Sequence, residues 1–121
     1  MAPMFRLEIV DDLGRTLNFP LKKRGIVTVG RKRDNDIYLN DKSVSRNHCL
    51  LYVSPDTVEV EDLQSANGVL VKGRRISERT KIEPNDEIII GENRFFLRWA
   101  VAEMSTQKTS LARDVDLPKK K

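Results

Sequence analysis

The sequence predicts an all-β chain, an antiparallel sandwich of many short strands, on three observations. Apolar and polar residues alternate at the period of a strand: Phe5, Leu7 and Ile9 with Arg6 and Glu8, and Val58 and Val60 with Glu59 and Glu61. Turn signals interrupt such runs at short intervals, at Asp11-Asp12-Leu13-Gly14, Lys23-Arg24-Gly25, Asp34-Asn35-Asp36, Ser54-Pro55-Asp56, Ala66-Asn67-Gly68, Lys72-Gly73 and Pro84-Asn85-Asp86. No segment before Trp99 has the apolar period of a packed helix.

Between these turns the strands fall at 5–10, 15–19, 26–30, 37–39, 48–53, 57–62, 69–71, 87–90 and 94–100. The first carries the Phe5, Leu7, Ile9 row, and the second begins directly after the Gly14 turn. The third is Ile26-Val27-Thr28-Val29 between two glycines, and 57–62 holds the Val58, Val60 row. Ile88-Ile89-Ile90 fills the penultimate strand, and Phe95 and Trp99 lie in the last. Phe5, Phe19, Phe95 and Trp99 are therefore expected in the core. Strands so short and numerous form a sandwich or barrel whose end loops carry function. After Trp99 the composition turns polar, through Glu103 to Ser110, and ends in Pro118-Lys119-Lys120-Lys121, with too little apolar surface to offset chain entropy. One domain is thus expected over 1–100 and a flexible polar and basic tail over 101–121, with a short helix from Val101 to Leu111 as the alternative inside it.

At 121 residues the chain suits a single core. Lys and Arg number 22 against 18 Asp and Glu, a net +4 that is too mixed to name a nucleic-acid partner. The lone Cys49 cannot form an intramolecular disulfide, and no apolar run follows a basic start at the N-terminus, so an intracellular location is expected. The longest apolar runs, such as Ile88-Ile89-Ile90, fall far below the roughly 20 residues of a membrane-spanning helix, so no membrane partner is expected.

No catalytic constellation is legible. A Ser, His, Asp set can be written from Ser45, His48 and Asp62, but Ser45 and His48 lie three apart at a loop-to-strand junction with no oxyanion site at a defined position. His48 and Cys49, adjacent on a strand, point to opposite faces and cannot share a metal ion. Gly25 and Gly30 flank a strand rather than a phosphate loop, and no Gly-Lys-Ser or Gly-Lys-Thr follows. The expectation is no enzyme, no cofactor and no metal.

What remains is a series of polar residues on predicted loops: Gly30-Arg31, then Ser45-x-x-His48, then Asn67-Gly68. In this order and spacing they resemble the forkhead-associated (FHA) domain, supported by Asn35-Asp36-Ile37, Pro84, Asp86-Glu87-Ile88 and Gly91. The resemblance covers about residues 5 to 100. It implies an FHA-type β-sandwich of about 11 short strands with binding loops at one end, acting as a phosphothreonine-binding signalling adaptor.

The residue types suit that chemistry. A phosphate carries about −1.5 to −2 charge and three acceptor oxygens, and calls for an arginine, a hydroxyl donor and free backbone N–H groups on a rigid rim. Arg31, aimed by the flexible Gly30, and the Ser45 hydroxyl and amide are the expected phosphate contacts, with Arg46 as a further one. Asn67 suits a tight turn at positive φ, and the resemblance implies that it holds the backbone of the bound peptide. The resemblance makes His48 a structural brace for the Ser45 loop, with Gly30 and Gly68 as structural positions. Ala66 departs from it, since many members place a hydroxyl residue there. Lys32, Arg33, Lys42, Arg74 and Arg75 on flanking loops would favour an acidic residue in the peptide.

Two other classes compete. Arg31-Lys32-Arg33, Lys72, Arg74-Arg75, Arg79 and Lys81 could form a basic strip for nucleic acid on a small barrel, with Tyr38, Tyr52 and Phe96 as stacking platforms. The other is an FHA-like interaction domain that no longer needs phosphate. In the tail, Thr106-Gln107 has the pattern preferred by DNA-damage-response kinases, and phosphorylated Thr106 or Thr109 entering a second copy would give a phosphorylation-dependent homodimer. Lys119-Lys120-Lys121 favours a nuclear over a cytoplasmic location.

Overall fold

The computed structural model describes residues 4–100, and the tail, its helix alternative and Thr106 and Thr109 lie outside the described residues. Eleven strands follow in order: β1 (Met4–Val10), β2 (Thr16–Pro20), β3 (Gly25–Gly30), β4 (Ile37–Tyr38), β5 (Cys49–Val53), β6 (Val58–Asp62), β7 (Val69–Val71), β8 (Arg74–Arg75), β9 (Thr80–Ile82), β10 (Glu87–Ile90) and β11 (Asn93–Ala100). Nine match the strands expected from alternation. The other two, β8 and β9, are short and offer one apolar residue between them, Ile82. β8 exists because Lys72 and Gly73 both adopt positive φ, at 52° and 82°, the geometry of a tight two-residue hairpin that turns β7 back on itself.

The strands form two sheets, ordered β2-β1-β11-β10-β7-β8 and β4-β3-β5-β6-β9. Every pairing is antiparallel except β3 with β4. The period-2 rows become the facing layers: Phe5, Leu7, Ile9, Ile88, Ile90, Phe95 and Leu97 from one sheet meet Val27, Val29, Leu51, Val53, Val58 and Val60 from the other. Each such side chain contributes roughly 1.5–3 kcal/mol relative to exposure.

Two of the expected core aromatics differ. Trp99 is 46% exposed and Phe19 half-buried. Trp99 stands at the outer end of its row, opposite Phe5, and covers that ring by stacking at 4.6 Å between centroids. Phe19 lies on edge strand β2, where the layer ends.

Register gathers the loops. Val29 pairs with Cys49, Cys49 with Asp62, and Ile90 with both Val69 and Asn93. The ends of β3, β6 and β10 and the starts of β5, β7 and β11 therefore share one end of the sandwich, and the predicted site residues lie there.

Cys49 sits beneath this end with no exposed surface. Burial, and then the Asp62 carboxylate opposite it, push its thiol far above the ordinary range. The native protein is expected to resist thiol-reactive dyes at pH 8 and to react only with the onset of unfolding in urea; rapid labelling without denaturant would contradict this burial.

Candidate functional site

The β3–β4 and β4–β5 loops touch across Gly30. A β-carbon there would come 2.1 Å from the Arg46 carbonyl oxygen and 2.8 Å from the Asn35 side-chain nitrogen. Gly30 is buried within a strand, so its role is close approach rather than the flexibility expected for aiming Arg31. The contact is sealed by backbone bonds from the Arg31 N–H to the Ser45 carbonyl (3.0 Å) and from the Lys32 N–H to the Arg46 carbonyl (3.2 Å). Asn35 donates to the carbonyls of both Lys32 and Arg46.

His48 joins this pair of loops to the β6–β7 loop. Its Nδ1 accepts the Ser45 N–H at 3.0 Å, which leaves the ring proton on Nε2 to be donated to the Gly68 carbonyl at 2.8 Å. The ring is fully buried. The Ser45 amide, expected to reach phosphate, is thus spent on His48. The Ser45 hydroxyl oxygen accepts the Ala66 N–H at 3.0 Å and keeps its own proton for another acceptor.

Within the β6–β7 loop, Asp62 accepts from the Ser65 amide and hydroxyl, and the Ser65 hydroxyl accepts the Gly68 N–H. The positive φ expected at Asn67 falls instead at Gln64 (57°) and Gly68 (77°). Asn67 is exposed and its amide donates to the Ser43 carbonyl at 2.8 Å, tying the two loops at the rim.

Asp41, which no sequence pattern singled out, secures the base of the β4–β5 loop. It accepts from the Ser43 amide and hydroxyl, from Asn93 at 3.0 Å and from the Glu92 N–H at 3.4 Å, while its carbonyl accepts the Val44 N–H. Gly91 completes the junction, since a β-carbon there would meet Ser43 Oγ at 2.5 Å. Partial burial opposes the charge of Asp41, but the bonds from Ser43, Glu92 and Asn93 outweigh it and hold the carboxyl below its ordinary value of 3.8.

Arg31 is anchored by its Nε–H on the Val44 carbonyl at 3.0 Å, which leaves both terminal amino groups of an exposed guanidinium facing outward from the anchor. Neither Arg31 nor Arg46 forms an ion pair among the described residues. Arg31, Ser45, Arg46 and Asn67 thus come together on a shallow rim. A wide concavity, about 780 Å³, lies beyond Asp41 and is lined by Asp11, Asp12, Asp41 and Glu92 as well as Arg15 and Lys42, a poor seat for an anion. A smaller one, about 110 Å³, lies between Phe19, Ile26 and Val53, away from the rim. The arrangement can bind an anion through a guanidinium and a hydroxyl.

Two outcomes follow from these braces. Gly30→Ala should cost about 3 kcal/mol in urea unfolding, because the obstacle is backbone; a cost near zero would refute the close approach. Ionised Asp41 stabilises the fold fully above pH 3.8 and ceases to as pH falls through its lower folded value, so Asp41→Asn should flatten the acid limb of the stability curve below pH 3.8, measured by urea midpoints against pH.

The sequence profile of the FHA domain matches residues 27–91. The transcriptional regulatory protein EmbR of Mycobacterium tuberculosis is 32% identical over 84 residues, 69% of this chain and only 21% of EmbR. The crystal structure of the FHA domain of the CT664 protein from Chlamydia trachomatis superposes with a TM-score of 0.74 at 31% identity, covering 78% of this chain and 96% of that one. Mycobacterium tuberculosis EmbR in complex with a low affinity phosphopeptide gives a TM-score of 0.66 at 31% identity, covering 77% of this chain and 24% of that one. With the profile spanning more than half of its length and the same two-sheet sandwich in these relatives, the chain belongs to the FHA domain family of interaction modules.

Proposed function

We propose that this domain binds phosphothreonine-containing segments of partner proteins as a signalling adaptor, with Arg31, Ser45 and Arg46 on the phosphate and Asn67 on the peptide backbone. The observation that carries it is the Arg31 side chain. Its Nε–H is fixed on Val44, so its terminal amino groups are pre-oriented for a bidentate contact with a phosphate at little further entropic cost. The Ser45 hydroxyl, held through its oxygen by Ala66, supplies a directed proton beside it. EmbR, which shares the fold and whose structure is known in complex with a low affinity phosphopeptide, supports the reading.

The nucleic-acid alternative fares worse on geometry. In the basic strip, Lys72 faces Asp86, Arg79 faces Glu59 and Lys81 faces Glu83. The three rings considered for stacking each carry an arginine of this chain: Arg33 at Tyr38, Arg79 at Tyr52 and Arg98 at Phe96. Self-association, a damage-response role and a nuclear location rest on tail residues outside the described ones, and the bacterial relatives lend them no support.

Arg31→Ala should lower affinity for a phosphothreonine peptide by roughly 10- to 100-fold, the loss of a charge-assisted contact of about 1.5–3 kcal/mol, with unchanged circular dichroism. Titration by NMR against the phosphorylated and unphosphorylated forms checks it. Equal binding of both forms would sink the proposal.

A further inference from the structure

We infer that Arg75 selects among phosphorylated partners by pairing with a carboxylate side chain of the bound peptide. The inference rests on the phosphothreonine reading above. Arg75 lies on edge strand β8 opposite Leu70, and its side chain is laid over Gly68: a β-carbon on that glycine would fall 2.4 Å from Nε and 2.8 Å from Cζ. Gly68 directly follows Asn67, and its carbonyl is the one held by His48. The Arg75 guanidinium therefore stands over the same loop that carries the peptide-binding asparagine.

The other cations expected to favour an acidic residue are accounted for differently. Lys32 faces Asp34 at 3.7 Å, and Arg33 lies at 5.9 Å from the Tyr38 ring centre. Lys42 lines the cleft with Asp11, Asp12, Asp41 and Glu92. Arg74, the residue before Arg75 on β8, projects to the opposite face. Arg75 is exposed and has no carboxylate within ion-pair distance among the described residues. A guanidinium with one side against backbone keeps its planar donor edge for a carboxylate, and a second phosphate on the same peptide would offer the same acceptor chemistry.

The test uses the full chain and phosphothreonine peptides on an alanine background, with a single Glu, Lys or phosphoserine moved through the flanking positions. At one position Glu should strengthen binding about fivefold over Ala, the upper range of an exposed ion pair. Arg75→Ala should remove that gain while leaving the affinity of the alanine-background peptide unchanged, and Arg75→Glu should transfer the preference to Lys at the same position. Circular dichroism establishes that each variant folds. A flat profile in the wild type, a uniform loss across all peptides in Arg75→Ala, or a gain for phosphoserine with none for Glu overturns the assignment to a carboxylate. Failure of every phosphothreonine peptide to bind overturns the underlying reading and this inference with it.

Discussion

The binding end of this molecule depends on one buried imidazole. His48 has no exposed surface, accepts an N–H from one loop and donates to a carbonyl of another, and its own backbone pairs with Val29 and Leu63. A buried polar ring is tolerated only when each of its hydrogen-bonding atoms is matched. Here both matches are backbone groups of residues far apart in sequence, Ser45 three positions before His48 and Gly68 twenty after it. The requirement to satisfy the ring thereby fixes the distance between the serine loop and the asparagine loop. Losing the ring would strand the buried Gly68 carbonyl, at about 1–3 kcal/mol, and leave the part-buried Ser45 N–H without its acceptor.

Around that node the loops are held by backbone contacts and by short local acceptors, not by contacts among the side chains that face solvent. Asp62 and Ser65 fold the β6–β7 loop, and Asp41 ties the β4–β5 loop to the β10–β11 turn. Arg31 is aimed by a carbonyl of the neighbouring loop. Ser45 and Asn67 belong to the same frame, through the Ala66 N–H and the Ser43 carbonyl, so the groups offered to a ligand are positioned by the contacts that shape the loops.

Much of the fold was legible because the apolar rows alternate without interruption, from Phe5, Leu7 and Ile9 to Val58 and Val60. Arg74–Arg75 and Thr80–Ile82 escaped because strands of two or three residues, mostly charged or polar, have no period to detect. Trp99 looked like core because its position in the alternation is correct, but the row runs past the end of the opposing layer. At the binding end, the positions of Arg31, Ser45, Arg46 and Asn67 on loops were readable from spacing. The physical work of Gly30 was not, since close approach by Arg46 depends on a loop sixteen residues downstream. Asp41 left no signal because its partners Glu92 and Asn93 lie some fifty residues away.

The position of Trp99 also decides what can be observed in solution. It is the single tryptophan of the chain, stacked on Phe5 at the end of β1 remote from the junction of Val10 with Arg94, where the loops gather. Its emission responds to the separation of β1 from β11 and is insulated from events at the rim. The molecule therefore carries a built-in optical probe that follows global melting alone, against which any ligand-linked gain in stability stands out as a pure shift of midpoint.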